Sequence, residues 1–282
     1  MIGAIAGDVI GSSWEGMGVK KKEFELFGAT SRFTDDTVLT VAVADCLLHG
    51  RDYGSAYRDY FQHHARAGFG AFFAKWAMSH DPLPYGSYGN GAAMRVSPIG
   101  WAFETLDDVL AEARKSAAVT HDDPEGMRGA EAVAAAVFLA RSDVTRNEMR
   151  RLLERRFGYD LSRPLDEIRP SYRFDLTAAG SVPEAIIAFL ESRDWEDAVR
   201  NAVSLGGDAD TQACIAGAIA EAYYGVPEEI VAGTRSRLNE HFRGIIDAFE
   251  TRYGRGPIRR RSADESRATA GTHADARLSS RH

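Results

Sequence analysis

The stretch Gly206-Gly207-Asp208-Ala209-Asp210-Thr211-Gln212, with the small-residue run 213–224 behind it, constrains this chain most tightly. Adjacent glycines let the backbone turn sharply. Two aspartates and a threonine then open a segment whose small side chains suit a helix pressed into a core. A second acidic group, Phe33-Thr34-Asp35-Asp36-Thr37, stands far upstream and also opens a helical run. The two groups are expected to meet in space, with the rest of the chain folding so as to bring them together.

Most of the remaining sequence reads as helix. Apolar residues recur at helical spacing over 36–49, 53–67, 69–78, 105–119, 124–141, 146–157, 183–192, 195–205, 210–224 and 228–253. Residues 91–103 begin as a helix that Pro98 interrupts, 14–31 and 80–90 are loops by composition, and 159–177 holds the only candidates for extended structure. Gly3, Gly7 and Gly11 share one helical face, where another backbone can approach closely. No stretch alternates apolar and polar residues over six or more positions, and strands and helices do not alternate. The body, 1–254, is therefore expected to be a single all-α domain.

Composition narrows the function classes. From residue 255 on, Arg, Ser, Ala and Thr replace the large apolar residues, which is the composition of a disordered basic tail. The chain carries −7 overall; seven arginines against three carboxylates make the tail +4 and leave the body at −11. An acidic body argues against a nucleic-acid or membrane surface, and no run approaches the length of a membrane span. The apolar N-terminal stretch has no basic leader and is interrupted by Asp8, so it is not read as a signal peptide. Cys46 and Cys214, set among aliphatic residues, are read as buried thiols of a reduced, cytoplasmic protein. A monomer is expected.

Asp35-Asp36 or Asp208-Ala209-Asp210-Thr211 alone would first be read as a helix cap. Three oxygen side chains within four residues exceed what one cap needs. Taken together, and with the Thr34 and Thr211 hydroxyls, the two groups offer four carboxylates and two neutral oxygens. Such a hard, all-oxygen set suits Mg²⁺, Mn²⁺ or Ca²⁺ better than ferrous iron, and cations resolve the mutual repulsion of the carboxylates. The second group is not an EF-hand, because Gln212-Ala213 stands where a further ligand and a glycine would be required. Nor does it follow a buried strand, as the Asp-x-Asp element of haloacid-dehalogenase phosphatases does.

Three further polar, glycine-bearing groups stand out: Gly7-Asp8-Val9-Ile10-Gly11 followed by Glu15, Ser87-Tyr88-Gly89-Asn90-Gly91 before Met94-Arg95, and Thr120-His121-Asp122-Asp123-Pro124-Glu125-Gly126. The second precedes a helix start, where free N–H groups can receive a phosphate. His121 alone reads as a helix-boundary histidine bonded to backbone, and Asp8 alone as a structural hydrogen-bonder.

In this order the five groups resemble the ADP-ribosylglycohydrolase family, over about residues 2–224. The resemblance implies a compact, single-domain orthogonal helical bundle around a binuclear Mg²⁺ or Mn²⁺ centre. It implies hydrolysis of the glycosidic bond between ADP-ribose and an acceptor. Thr34, Asp35, Asp36, Asp208, Asp210 and Thr211 would be the metal ligands. Ser87, Tyr88, Gly89, Asn90 and Gly91 would cradle the diphosphate and adenosine side, and His121 would contact the ligand near the distal ribose. Asp35, Asp210 or Glu15 would handle the proton transfer; Glu15 matches a glutamate that only some branches of the family carry. An ADP-ribosylated protein, modified on arginine, is the first choice of substrate. A non-catalytic ADP-ribose-binding or structural relative, and a hydrolase of another ADP-ribose metabolite or nucleobase adduct, are the alternatives.

Overall fold

Side-chain caps set most of the helix starts. In the computed structural model, which describes residues 1–142 and 144–254, Thr34, Asp52, Thr105, Asp123, Thr145, Thr177, Asp194 and Asn239 each accept a backbone N–H from the first turn they precede. Thr145 and Glu148 cap reciprocally. The resulting elements are α1 (Ile2–Gly11), α2 (Asp35–His49), α3 (Tyr53–His64), α4 (Ala71–Ala77), α5 (Gly91–Met94), α6 (Ser97–Ala102), α7 (Leu106–Ala118) and α8 (Pro124–Arg141). They continue with α9 (Arg146–Phe157), α10 (Leu165–Ile168), α11 (Ala178–Leu190), α12 (Trp195–Val203), α13 (Ala209–Tyr224), α14 (Glu228–Arg235) and α15 (Glu240–Tyr253). Among the described residues there is no strand, only an isolated bridge between Gly89 and Thr177. The body is one all-α domain, as expected; the basic tail, 255–282, lies outside the described residues.

Three boundaries differ from the sequence expectation. Pro98 does not break a helix but sits in the first turn of α6, where its missing N–H is harmless. Pro183 does not start α11, which begins five residues earlier behind the Thr177 cap and carries the proline inside. The expected helix over 228–253 is two, because Asn239 accepts from the Phe242 N–H and starts α15 afresh.

Helix α13 is buried from Ala209 through Ala222 and packs against α1, α8, α11 and α12. Its closest neighbour is α1. A Cβ on Gly7 would fall 2.0 Å from the Ala213 carbonyl oxygen, one on Gly11 2.4 Å from that of Ala209, and one on Gly3 2.6 Å from that of Gly217. The two backbones therefore touch along the glycine face of α1, as the four-residue spacing predicts. The Trp195 indole closes the same seam by donating Nε1–H to the Gly217 carbonyl at 3.0 Å. Helix α1 also packs against α2, so it stands between the two acidic helix starts. No helix among the described residues is long and apolar enough to cross a membrane.

Candidate metal centre

The two acidic groups meet over the end of α1. Carboxylate oxygens of Asp8, Asp36 and Asp210 lie within 4.8 Å of one another, and so do those of Glu15, Asp208 and Asp210. Asp210 belongs to both triads. Asp8, Asp36, Asp208 and Asp210 are buried, Asp35 is half-buried, and Glu15 stands exposed at the edge.

Asp8 does two things at once. Its Oδ2 accepts the Thr34 N–H at 2.9 Å and the Thr37 N–H at 3.1 Å, and it also receives the Thr37 hydroxyl; Oδ1 accepts the Thr34 hydroxyl at 2.7 Å. It thus caps α2 from another helix and fixes the backbone that presents Asp35 and Asp36. The hydrogen-bonding role expected for Asp8 is present, but the same carboxylate also faces the centre. Position 8 in isolation does not reveal that, and the Gly7–Gly11 frame that brings α1 against α13 is the signal that could have found it.

The start of α13 is not an ordinary cap. Asp208 occupies the cap position, yet its side chain accepts no N–H of the helix. Its Oδ2 instead accepts the Asn90 side-chain amide at 2.7 Å. Asp210 Oδ1 accepts the Thr211 N–H at 2.9 Å. Gly206 has φ +66°, which an L side chain rarely adopts, and a Cβ on Gly207 would meet the Tyr172 ring at 2.4 Å. Tyr172 locks this turn: its hydroxyl donates to the Gly180 carbonyl at 2.7 Å and accepts from Gln212 Nε2 at 3.0 Å.

Burial and mutual repulsion hold the carboxyls of the centre above their ordinary range. Burial, then the Asp8 charge, lifts Asp35 to about 7. Burial and the neighbouring aspartates hold Asp36 and Asp210 well above the ordinary carboxylate range. Asp208 and Glu15 are raised chiefly by burial as well. Among the described residues, Asp36 Oδ1 is buried with no hydrogen-bond partner. Leaving a carboxylate oxygen both buried and unpaired is costly unless a cation takes it. The donor set is oxygen throughout, so the residues fit a hard divalent cation.

The glycine-rich loop runs beside this centre. Asn90 N–H donates to the Leu176 carbonyl at 2.9 Å, Ala178 N–H to that of Tyr88 at 2.9 Å, and Gly89 N–H to Ser87 Oγ at 3.2 Å. With the Ser87 N–H donating to the Thr120 carbonyl at 3.4 Å, three of the loop's N–H groups are already bonded, and α5 behind it spans only four residues. Tyr88 is exposed. His121 is buried against the loop: a Cβ on Gly91 would lie 3.4 Å from its Nε2. Of the expected metal ligands, Asp36, Asp208 and Asp210 fall in the triads and Asp35 in neither; the structure also ties Asn90 to Asp208, a pairing that sequence reasoning did not supply.

The fold and its comparisons place the chain among the helical glycosidases. More narrowly, it belongs to the ADP-ribosylglycohydrolase family, whose profile matches residues 1–257. It is similar to ADP-ribosylhydrolase ARH3 of Danio rerio, 26% identical over 80% of this chain and 82% of the relative. The mouse protein of that name is 30% identical over 71% of each. ADP-ribosylarginine hydrolase Tri1 of Pseudomonas putida is 24% identical over 80% of this chain and 70% of the relative. Among solved structures, an ADP-ribosylglycohydrolase-related protein complex superposes with a TM-score of 0.65 at 26% identity, covering 89% of this chain and 97% of that one.

Proposed function

We propose that this chain hydrolyses the glycosidic bond between ADP-ribose and a protein side chain, with two Mg²⁺ or Mn²⁺ ions held by Thr34, Asp35, Asp36, Asp208, Asp210 and Thr211. The observation that carries the reading is Asp210, which two carboxylate triads share. One carboxylate common to two triads suits two adjacent cations better than one. Bound there, the cations would supply Lewis-acid polarisation and offset charge at the glycosidic centre. The chain's own residues orient the rest. Ser87, Tyr88, Gly89, Asn90 and Gly91 line the diphosphate and adenosine side, and His121 stands behind them. Glu15 is the proton carrier. It lies beside Asp208 and Asp210 yet reaches solvent, so it can exchange a proton with water at the edge of the centre. An arginine linkage is preferred because the Tri1 relative is named for it.

The deciding experiment is turnover of ADP-ribosyl-arginine and ADP-ribosyl-serine proteins, after chelation and after Mg²⁺ or Mn²⁺ is restored. Metal-dependent release from arginine is expected. Asp36→Ala and Asp210→Ala should lose it at least about a hundredfold while keeping the helical circular dichroism spectrum. ADP-ribose binding without turnover would instead establish a reader, and full activity under chelation would remove the metal assignment.

A further inference from the structure

Arg95 is wholly buried, yet among the described residues no carboxylate faces it. Its guanidinium lies 4.2 Å from the centre of the Tyr57 ring, and Nη2 donates to the Ser116 carbonyl at 3.1 Å and to Thr120 Oγ1 at 2.9 Å. Nε and Nη1 have no hydrogen-bond partner among the same residues. A buried, unneutralised cation is destabilising, and a core of this kind would be more stable with an apolar residue of the same volume. Its placement therefore calls for a reason other than packing.

That reason lies one bond further on. Thr120 Oγ1 is 2.8 Å from His121 Nδ1. Arginine can only donate, so the threonine oxygen is an acceptor toward Arg95. Its single proton then has two possible destinations, His121 Nδ1 at 2.8 Å or the Ala117 carbonyl at 3.5 Å. The Ala117 oxygen already accepts the Thr120 and His121 backbone N–H groups at 3.0 and 2.8 Å. The short, unoccupied acceptor wins, and a hydroxyl polarised by a cation is a stronger donor.

We infer that Arg95 is a positioning residue that acts through Thr120 to hold His121 as the neutral imidazole with its proton on Nε2, the nitrogen turned toward the Gly89–Gly91 loop. Donation into Nδ1 forbids the other tautomer, and a fixed positive charge nearby disfavours the imidazolium. Burial and then Arg95 push the His121 pKa well below its ordinary value, in agreement. The edge that faces the loop then always offers an N–H to an acceptor oxygen such as that of a phosphate, and its hydrogen bond does not depend on pH near neutrality. The orientation toward a ligand rests on the proposed function; the tautomer does not.

Nitrogen NMR of histidine-labelled protein, with the His121 signal assigned by His121→Gln, tests this directly. A single Nε2–H tautomer from pH 6 to 8 is expected in the parent and in Thr120→Ser, which keeps the hydroxyl. Thr120→Val keeps the shape but not the donor, and Arg95→Met removes the cation; each should bring in Nδ1–H tautomer or imidazolium. By calorimetry, ADP-ribose should bind about fivefold to tenfold more weakly to Thr120→Val, with Thr120→Ser near the parent. An Nδ1–H tautomer in the parent, or an unchanged tautomer in Thr120→Val, would overturn the inference. Should ADP-ribose bind to none of these proteins while the tautomer behaves as described, the functional reading fails and the relay stands.

Discussion

Asn90 shows how one side chain can join the two halves of the site. Its buried amide donates to Asp208 while its backbone lies in the Ser87–Gly91 loop. On the proposed function Asp208 is a metal ligand, and losing a group that orients such a ligand commonly weakens metal affinity by about 10–100-fold. Asn90→Asp, of the same size, replaces the donor with a like charge beside Asp208; Asn90→Ala removes it. Both should weaken Mn²⁺ binding by about that range in calorimetry without nucleotide. Unchanged affinity would confine Asn90 to the loop. Sequence alone shows the asparagine within a polar loop but not its partner, since 118 positions separate it from Asp208. The carboxylates themselves are legible because each group opens a helix with more acid than a cap can use. Asp8 is only half legible, because its four acceptor bonds and its place among the triads depend on where α1 lies.

Among the elements, α1 and α13 carry the sharpest prediction. Gly7→Ala places a Cβ 2.0 Å from the Ala213 carbonyl, and backbone cannot step aside as a side chain can. Separation of the two helices should destabilise the protein by about 3 kcal/mol in denaturant unfolding. Gly244→Ala in α15 is the counterpart: a Cβ there meets nothing within 4 Å, so gain in helix propensity should stabilise by about 0.5–1 kcal/mol. If both variants unfold alike, the close approach is not what fixes α1. The contact is readable from sequence because Gly3, Gly7 and Gly11 recur every four residues and so share a face. Helix boundaries are readable where caps and apolar period agree, as in α8 and α9. They fail at Pro183 and Asn239, where a local signal has two meanings. Proline resembles a helix start although α11 tolerates it inside, and a continuous helical period hides a second cap.

For the whole molecule, the carboxylate centre links stability to pH and to cations. A carboxyl held above its unfolded value contributes stability in full below that value and loses it as pH rises through the folded one. For Asp35 this window runs from 3.8 to about 7. The raised Asp36, Asp208 and Asp210 act in the same direction. Chelated protein should therefore melt at a lower temperature at pH 8 than at pH 5.5. Divalent cations compete with those protons, so the rise in melting temperature on adding Mn²⁺ should grow with pH. A cation effect equal at both pH values would show that these aspartates do not bind it.

The seam between α1 and α13 also sets an order of events during synthesis. Gly3 N–H reaches Glu221 Oε2 across 218 positions of sequence. A contact of such span forms late, since the loop between its ends must close first. While the chain is still emerging from the ribosome, α1 has its glycine face bare, and Asp8 can meet α2 but not Asp210. The triads that share Asp210 therefore cannot exist in a nascent chain lacking α13, and a release of the chain short of residue 210 yields helices without a centre. The carboxylate cluster is thus assembled only once α13 has been made.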